Sequence, residues 1–88
     1  MTVLKVDTAD HIAVATLNRP AARNALSPDL IVALAEFWDA VRSDNDIRVV
    51  VLTGAEGSTF CAGFDLARTI PLFTGAREPE DEWDRALA

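Results

Sequence analysis

Between Gly57 and Leu66 the chain runs GSTFCAGFDL, a glycine-bounded stretch holding a thiol, a carboxylate and two aromatic rings. Several chemistries use such residues, and each makes a demand on the rest of the sequence. A nucleophilic Cys61 needs a base. The only histidine, His11, lies in a predicted strand without a triad signature, so Cys61 reads as a small buried thiol. A Walker phosphate loop needs a Lys-Ser/Thr pair after its last glycine, but Gly63 is followed by Phe64. A dinucleotide fingerprint needs G-x-G-x-x-G, which Gly54, Gly57 and Gly63 do not match. Asp65 opens a short helical segment, where a carboxylate caps rather than transfers protons. What remains is the backbone itself. Glycine permits a tight turn and close ligand approach, and the amides displayed after such a turn can converge on a negative oxygen.

The elements that must position this turn follow from the pattern on either side. Val3–Asp7 and His11–Leu17 read as short strands joined by the polar link TAD. In the second strand both faces are mostly apolar, which predicts cover on both sides. Pro20 restricts Arg19 to extended backbone and begins a loop, with Arg19 ordering it. Ser27, Pro28 and Asp29 then form a helix entry: N-cap, first-turn proline and an acid at the positive helix end. Leu30, Leu34, Phe37 and Val41 recur at steps of four, three and four, one buried helical stripe that Trp38 borders. The run Val49–Leu52, ending at Thr53–Gly54, predicts an interior strand. Strand, helix and strand in this order imply a parallel crossover. Beyond Leu66, ARTIPLF predicts a short helical turn stopped by Pro71. The segment TGAREPEDEWDRALA reads as surface, helical from about Glu80, with Trp83 as an anchor or contact.

Composition bounds the partners. The 88 residues form one small domain with 14 acidic and 8 basic side chains, net −6. Residues 76–88 set five carboxylates against two arginines, read as a solvated face. That balance excludes nucleic acid, which demands a basic patch. The longest apolar run, Leu30–Ala35, falls far short of the roughly 20 residues of a membrane span. With no signal-peptide pattern, a lone cysteine and no Cys/His cluster, the chain reads as soluble, cytoplasmic and metal-free.

Taken in order, LNRPAARNALSPDL and DIRVVVLTGAEGSTFCAGFDL resemble the N-terminal part of the enoyl-CoA hydratase/isomerase family, the crotonases, over about residues 10–70. The resemblance implies an α/β fold of ββα turns wound into a spiral, here partial. Residues 1–75 would belong to that domain, and 76–88 would form an acidic C-terminal segment. It implies acyl-CoA thioesters as ligands, as in fatty acid metabolism, with coenzyme A entering as part of the substrate and no other cofactor. Two backbone amides in the family hold the enolate formed from the thioester, and the first matches the N–H of Phe64. The aromatic rings of FCAGF would pack the turn in place. Arg23, Ala25 and Leu26 fall on the loop that meets coenzyme A, where the Arg23 guanidinium suits phosphate. Ala62, Gly63, Asp65 and Leu66 would line the cleft.

The family's second amide and acid–base carboxylates have no counterpart here. The chain therefore reads as a fragment, inactive by itself, marginal as a monomer and prone to associate through its exposed edges. The trimeric assembly common in the family does not follow for it. The alternative reading is a non-catalytic acyl-CoA-binding or protein-interaction module on the same fold, with EPEDEWDRALA as its contact segment.

Overall fold

The computed structural model describes residues 2–87. Strands β1 (Leu4–Ala9) and β2 (Ile12–Leu17) pair antiparallel, from Leu4 opposite Leu17 to Ala9 opposite Ile12. The link is shorter than the TAD of the sequence reading. Thr8 and Ala9 stay in the ladder, and Asp10 and His11 alone make the turn at φ 51° and 69°. Left-handed backbone at both central residues matches the twist of the flanking strands, which favours this two-residue turn.

Helix α1 (Pro28–Arg42) starts as its sequence dictates. The Leu30 N–H donates to Ser27 Oγ, Pro28 occupies the first turn, and the Ser27 hydroxyl donates to Asp29. Leu30 and Phe37 from this helix meet Leu4, Ala13, Ala15 and Leu17 in the core, with Leu34 and Val41 packed at its margin. Fully burying a side chain such as Leu30 stabilises the fold by about 2 kcal/mol. Trp38 stacks edge-on against Phe37, ring centroids 5.1 Å apart, and remains exposed.

Strand β3 (Val49–Gly54) lies parallel to β2, from Ile12 opposite Val49 to Leu17 opposite Gly54, so the crossover is parallel. Two expectations need correction. Among the described residues the sheet order is β1-β2-β3, so β3 is paired on one side only and leaves an edge open. The sheet is also covered on one face only among the described residues. Ala13, Ala15 and Leu17 are buried against α1, while Ile12, Val49 and Val51 on the opposite face are exposed. A β-branched run reports that a strand wants cover and does not say whether these residues supply it.

Helix α2 (Thr69–Thr74) runs through Pro71 and ends at Gly75. Proline is tolerated there because first-turn N–H groups have no intrahelical acceptor. Helix α3 (Glu82–Leu87) packs against α1. Its Asp84 is fully buried, so the acidic tail is not simply a solvated face. Arg77 donates to both Asp84 carboxylate oxygens, the Glu80 N–H donates to Oδ2, and the Asp84 N–H donates to Asp81 Oδ1. The Arg77 hydrogen bonds hold the Asp84 carboxyl well below the usual carboxylate range, against the opposing effect of burial, and raise the guanidinium in return. Arg77 also donates to the Arg68 carbonyl, tying α3 to the entrance of α2. No helix among the described residues is long and apolar enough to cross a membrane.

Candidate functional site

Two segments that leave the same end of the sheet build the site. The first follows β2 and makes a 3-10 turn at Pro20–Ala22, after which Arg23 and Asn24 both adopt left-handed backbone (φ 54° and 55°). The second follows β3 through residues 57–66. Backbone hydrogen bonds lace the two together: Ala62 N–H to the Arg23 carbonyl, Leu26 N–H to the Gly63 carbonyl, and Asp65 N–H to the Leu26 carbonyl. The last two form a parallel bridge between Leu26 and Phe64.

This pattern fixes the Phe64 peptide. In a parallel bridge one residue turns both of its backbone groups to the partner chain, here Leu26. Phe64, opposite it, turns its own N–H and C=O the other way. Its neighbours are both engaged, Asp65 N–H by Leu26 and Gly63 N–H by Cys61 Sγ at 3.4 Å. Among the described residues no acceptor takes the Phe64 N–H. Gly63, at φ 92°, makes the kink that aims it.

Phe64 lines a cleft of about 580 Å³ with Ala25, Ala62, Asp65, Leu66 and Ile70 among its walls. The side chains there are mainly small and apolar, and Leu66 stands 80% exposed beside them. Of the expected site residues, the structure thus gathers Ala25, Ala62, Phe64, Asp65 and Leu66 on one hollow. Leu26 lies behind them, half-buried against the core. Gly63 precedes Phe64 in the turn and does not line the hollow. Arg23 is exposed on the adjoining turn, and its guanidinium pairs with no described residue.

Asp65 is fully committed. Its Oδ1 accepts the N–H groups of Ala67 and Arg68, both at 3.0 Å, and its Oδ2 pairs with Arg19 at 3.4 Å. This is the pattern of a carboxylate that caps the turn following it. Arg19 orders the loop, donating to the Ala25 carbonyl at 2.5 Å.

The rings do not pack the turn as expected. Phe60 and Phe64 are 53% and 50% exposed, and the Phe64 ring meets Phe73 edge-on, with centroids 6.0 Å apart. Cys61 is half-buried rather than buried. Polar groups hold the turn instead. Asn24, fully buried, accepts from the Arg19 N–H at 2.7 Å and donates to the Thr59 carbonyl at 2.7 Å and to Ser58 Oγ at 3.3 Å. Thr69, also buried, donates its hydroxyl to the Leu26 carbonyl at 2.7 Å. Gly54 is required here by close approach, since a Cβ would sit 3.0 Å from Asn24 Nδ2 and from Phe60 Cα. Sequence reasoning passed over Asn24. Its signal was available in residue type, because Asn is one of the few residues that tolerate left-handed backbone.

A second hollow of about 350 Å³ separates the start of α1 from α3, lined by Arg19, Asp29, Arg68, Asp81 and Trp83 among others. Both of its arginines are paired, Arg19 with Asp65 and Arg68 with Asp81 and Asp84, so it offers no free cation. No cluster that could hold a metal ion occurs among the described residues.

Comparison with known proteins places the chain in a family. The sequence profile of the enoyl-CoA hydratase/isomerase family matches residues 12–84. Among individual relatives, the (E)-benzylidenesuccinyl-CoA hydratase of Thauera aromatica is 47% identical over 66 residues, covering 75% of this chain and 26% of that protein. Enoyl-CoA hydratase EchA19 of Mycobacterium tuberculosis is 51% identical over 61 residues, covering 69% and 23%. An enoyl-CoA hydratase crystal structure from Mycobacterium tuberculosis superposes with TM-score 0.71 at 44% identity, covering 75% of this chain and 28% of that one. An enoyl-CoA hydratase/isomerase from Pseudoalteromonas atlantica reaches TM-score 0.75 at 36% identity over 92% of this chain and 29% of its own. The chain spans about a quarter of the length of these curated relatives.

Proposed function

The chain belongs to the enoyl-CoA hydratase/isomerase family, and from that premise we propose that it carries one half of an oxyanion site for acyl-CoA thioesters. The donor is the Phe64 N–H, directed at the thioester carbonyl and at the enolate oxygen that forms from it. One observation carries this reading: Phe64 keeps an uncommitted amide between two committed ones, beside an apolar cleft. A preorganised donor of this kind favours the enolate over the ground state because negative charge grows on the oxygen only as the reaction proceeds.

The cleft supports the same ligand. Ala25, Ala62 and Leu66 offer an apolar wall to the acyl-pantetheine portion, and their small size lets a chain lie close to the peptide. Arg23, exposed and unpaired among the described residues, meets a phosphate of coenzyme A. Coenzyme A arrives with the substrate, and the proposal includes no resident cofactor.

Turnover needs more than this. A single donor leaves much of the enolate's charge unsupported, and loss of one such donor lowers rates by about 100- to 1,000-fold. The nearest carboxylate, Asp65, is committed to capping and to Arg19, so it supplies no acid–base function. The 88 residues therefore act as part of a larger active site, binding the thioester with little or no turnover alone. The rival reading, an interaction module using the acidic tail as contact segment, would rest on the exposed Glu78, Glu80, Glu82 and Trp83, since Asp84 is buried against Arg77, and it leaves the uncommitted Phe64 amide without a role.

Calorimetric titration with a short-chain acyl-CoA tests the proposal. Saturable binding, weakened when Arg23 is replaced by Ala, is the expected result. Failure of acyl-CoA to bind would refute it.

A further inference from the structure

Between the two loops of the site lies a side chain that does not line the cleft. Asn24 is fully buried, its backbone is left-handed, and each end of its carboxamide serves a different segment. Oδ1 takes the Arg19 N–H at the start of the first loop, while Nδ2 gives to Thr59 and Ser58 at the start of the second. The next contacts downstream are Ala62 to Arg23 and the two hydrogen bonds of Leu26, which flank Phe64. We propose that Asn24 is the positioning residue of the Phe64 amide: its carboxamide sets the spacing between the loops so that the Leu26 bridge forms and the Phe64 N–H is left facing the cleft. The proposal rests on the reading of that amide as a carbonyl donor.

Two features separate this role from that of a simple turn residue. Left-handed backbone alone would be met by glycine, which has no side chain to join the loops. A buried acceptor alone would be met by aspartate, which cannot donate to the Thr59 carbonyl. Only a carboxamide of this length satisfies an N–H on one side and a C=O on the other. Gly54 protects the arrangement, because a methyl group there would press on Nδ2 at 3.0 Å.

The test uses the full chain, its Asn24→Asp and Asn24→Gly variants, and a short-chain acyl-CoA labelled with 13C at the thioester carbonyl. Infrared difference spectra report polarisation of the bound carbonyl, and 15N–1H spectra report the Phe64 amide in the free chain. In the wild-type protein the bound carbonyl should shift to lower frequency. In both variants that shift should be lost while the acyl-CoA still binds, and the Phe64 amide resonance should move before any ligand is added. If both variants keep the wild-type carbonyl shift and amide resonance, the positioning role is overturned while the donor reading stands. If the wild-type chain binds acyl-CoA with no carbonyl shift, the donor reading fails and takes the proposal with it. Should Asn24→Gly lose the helical circular dichroism signal, Asn24→Asp alone carries the comparison, since it keeps the side-chain size and the acceptor for the Arg19 N–H while removing the donor to Thr59.

Discussion

Two stretches of this chain look equally apolar in sequence, Val49–Leu52 in β3 and Phe60–Phe64 in the site turn, and the structure holds them by different means. Strand β3 has backbone pairing on one side only, and Val49 and Val51 lie open on the sheet face away from α1. The turn exposes its rings by half, yet its backbone is tied at Ala62, Gly63 and Asp65 and its entrance is anchored on Asn24. Apolar content therefore does not explain the order of the site. Directional polar contacts specify one geometry, whereas apolar contact is non-directional and serves whichever surface covers it. A site that must aim a single N–H is better served by the former.

Substitutions can break that contrast, and the largest effect is expected at Asn24. Asn24→Ala leaves the Arg19 N–H and Thr59 carbonyl without partners and puts alanine in left-handed backbone. Together these should destabilise the chain by about 3 kcal/mol in urea unfolding. Gly54→Ala comes next. Backbone at Phe60 cannot yield as a flexible side chain would, so overpacking should cost about 2 kcal/mol in the same assay.

Acid should act on a third contact, outside both stretches. The Asp84 carboxyl is depressed in the folded chain by Arg77, so its contribution is complete above the unfolded carboxylate value near 3.9 and is lost as pH falls below it. Asp84→Asn should flatten that part of the acid-unfolding curve, followed by circular dichroism, and lower stability at neutral pH. The smallest effect belongs to β3: Val51→Thr should change stability by less than about 0.5 kcal/mol, because the side chain is already exposed.

What could be read from sequence divides along the same line. Helix α1 was legible because its signals are local: a Ser27 cap, a first-turn Pro28 and a stripe of leucines and phenylalanine. The parallel placement of β3 followed from element order. The β-branched run of β3 recorded a preference for cover, and among the described residues one edge and one face of that strand are left open. Pro71 misled because the rule against helical proline does not hold in a first turn. The burial of Asp84 depended on Arg77, seven residues away, and on packing against α1. Phe64 could be singled out only through a family resemblance, and Asn24, which joins the loops beside it, carried no signal beyond its tolerance of left-handed backbone.

The central claim concerns one hydrogen atom, and nuclear magnetic resonance can watch it. Titrating the 15N-labelled chain with a short-chain acyl-CoA should move the Phe64 amide proton downfield as it enters a hydrogen bond, more than the amides of Gly63 and Asp65, which are already engaged. If acyl-CoA saturates the chain while the Phe64 resonance stays in place, the amide is not the donor and the account of the site is wrong.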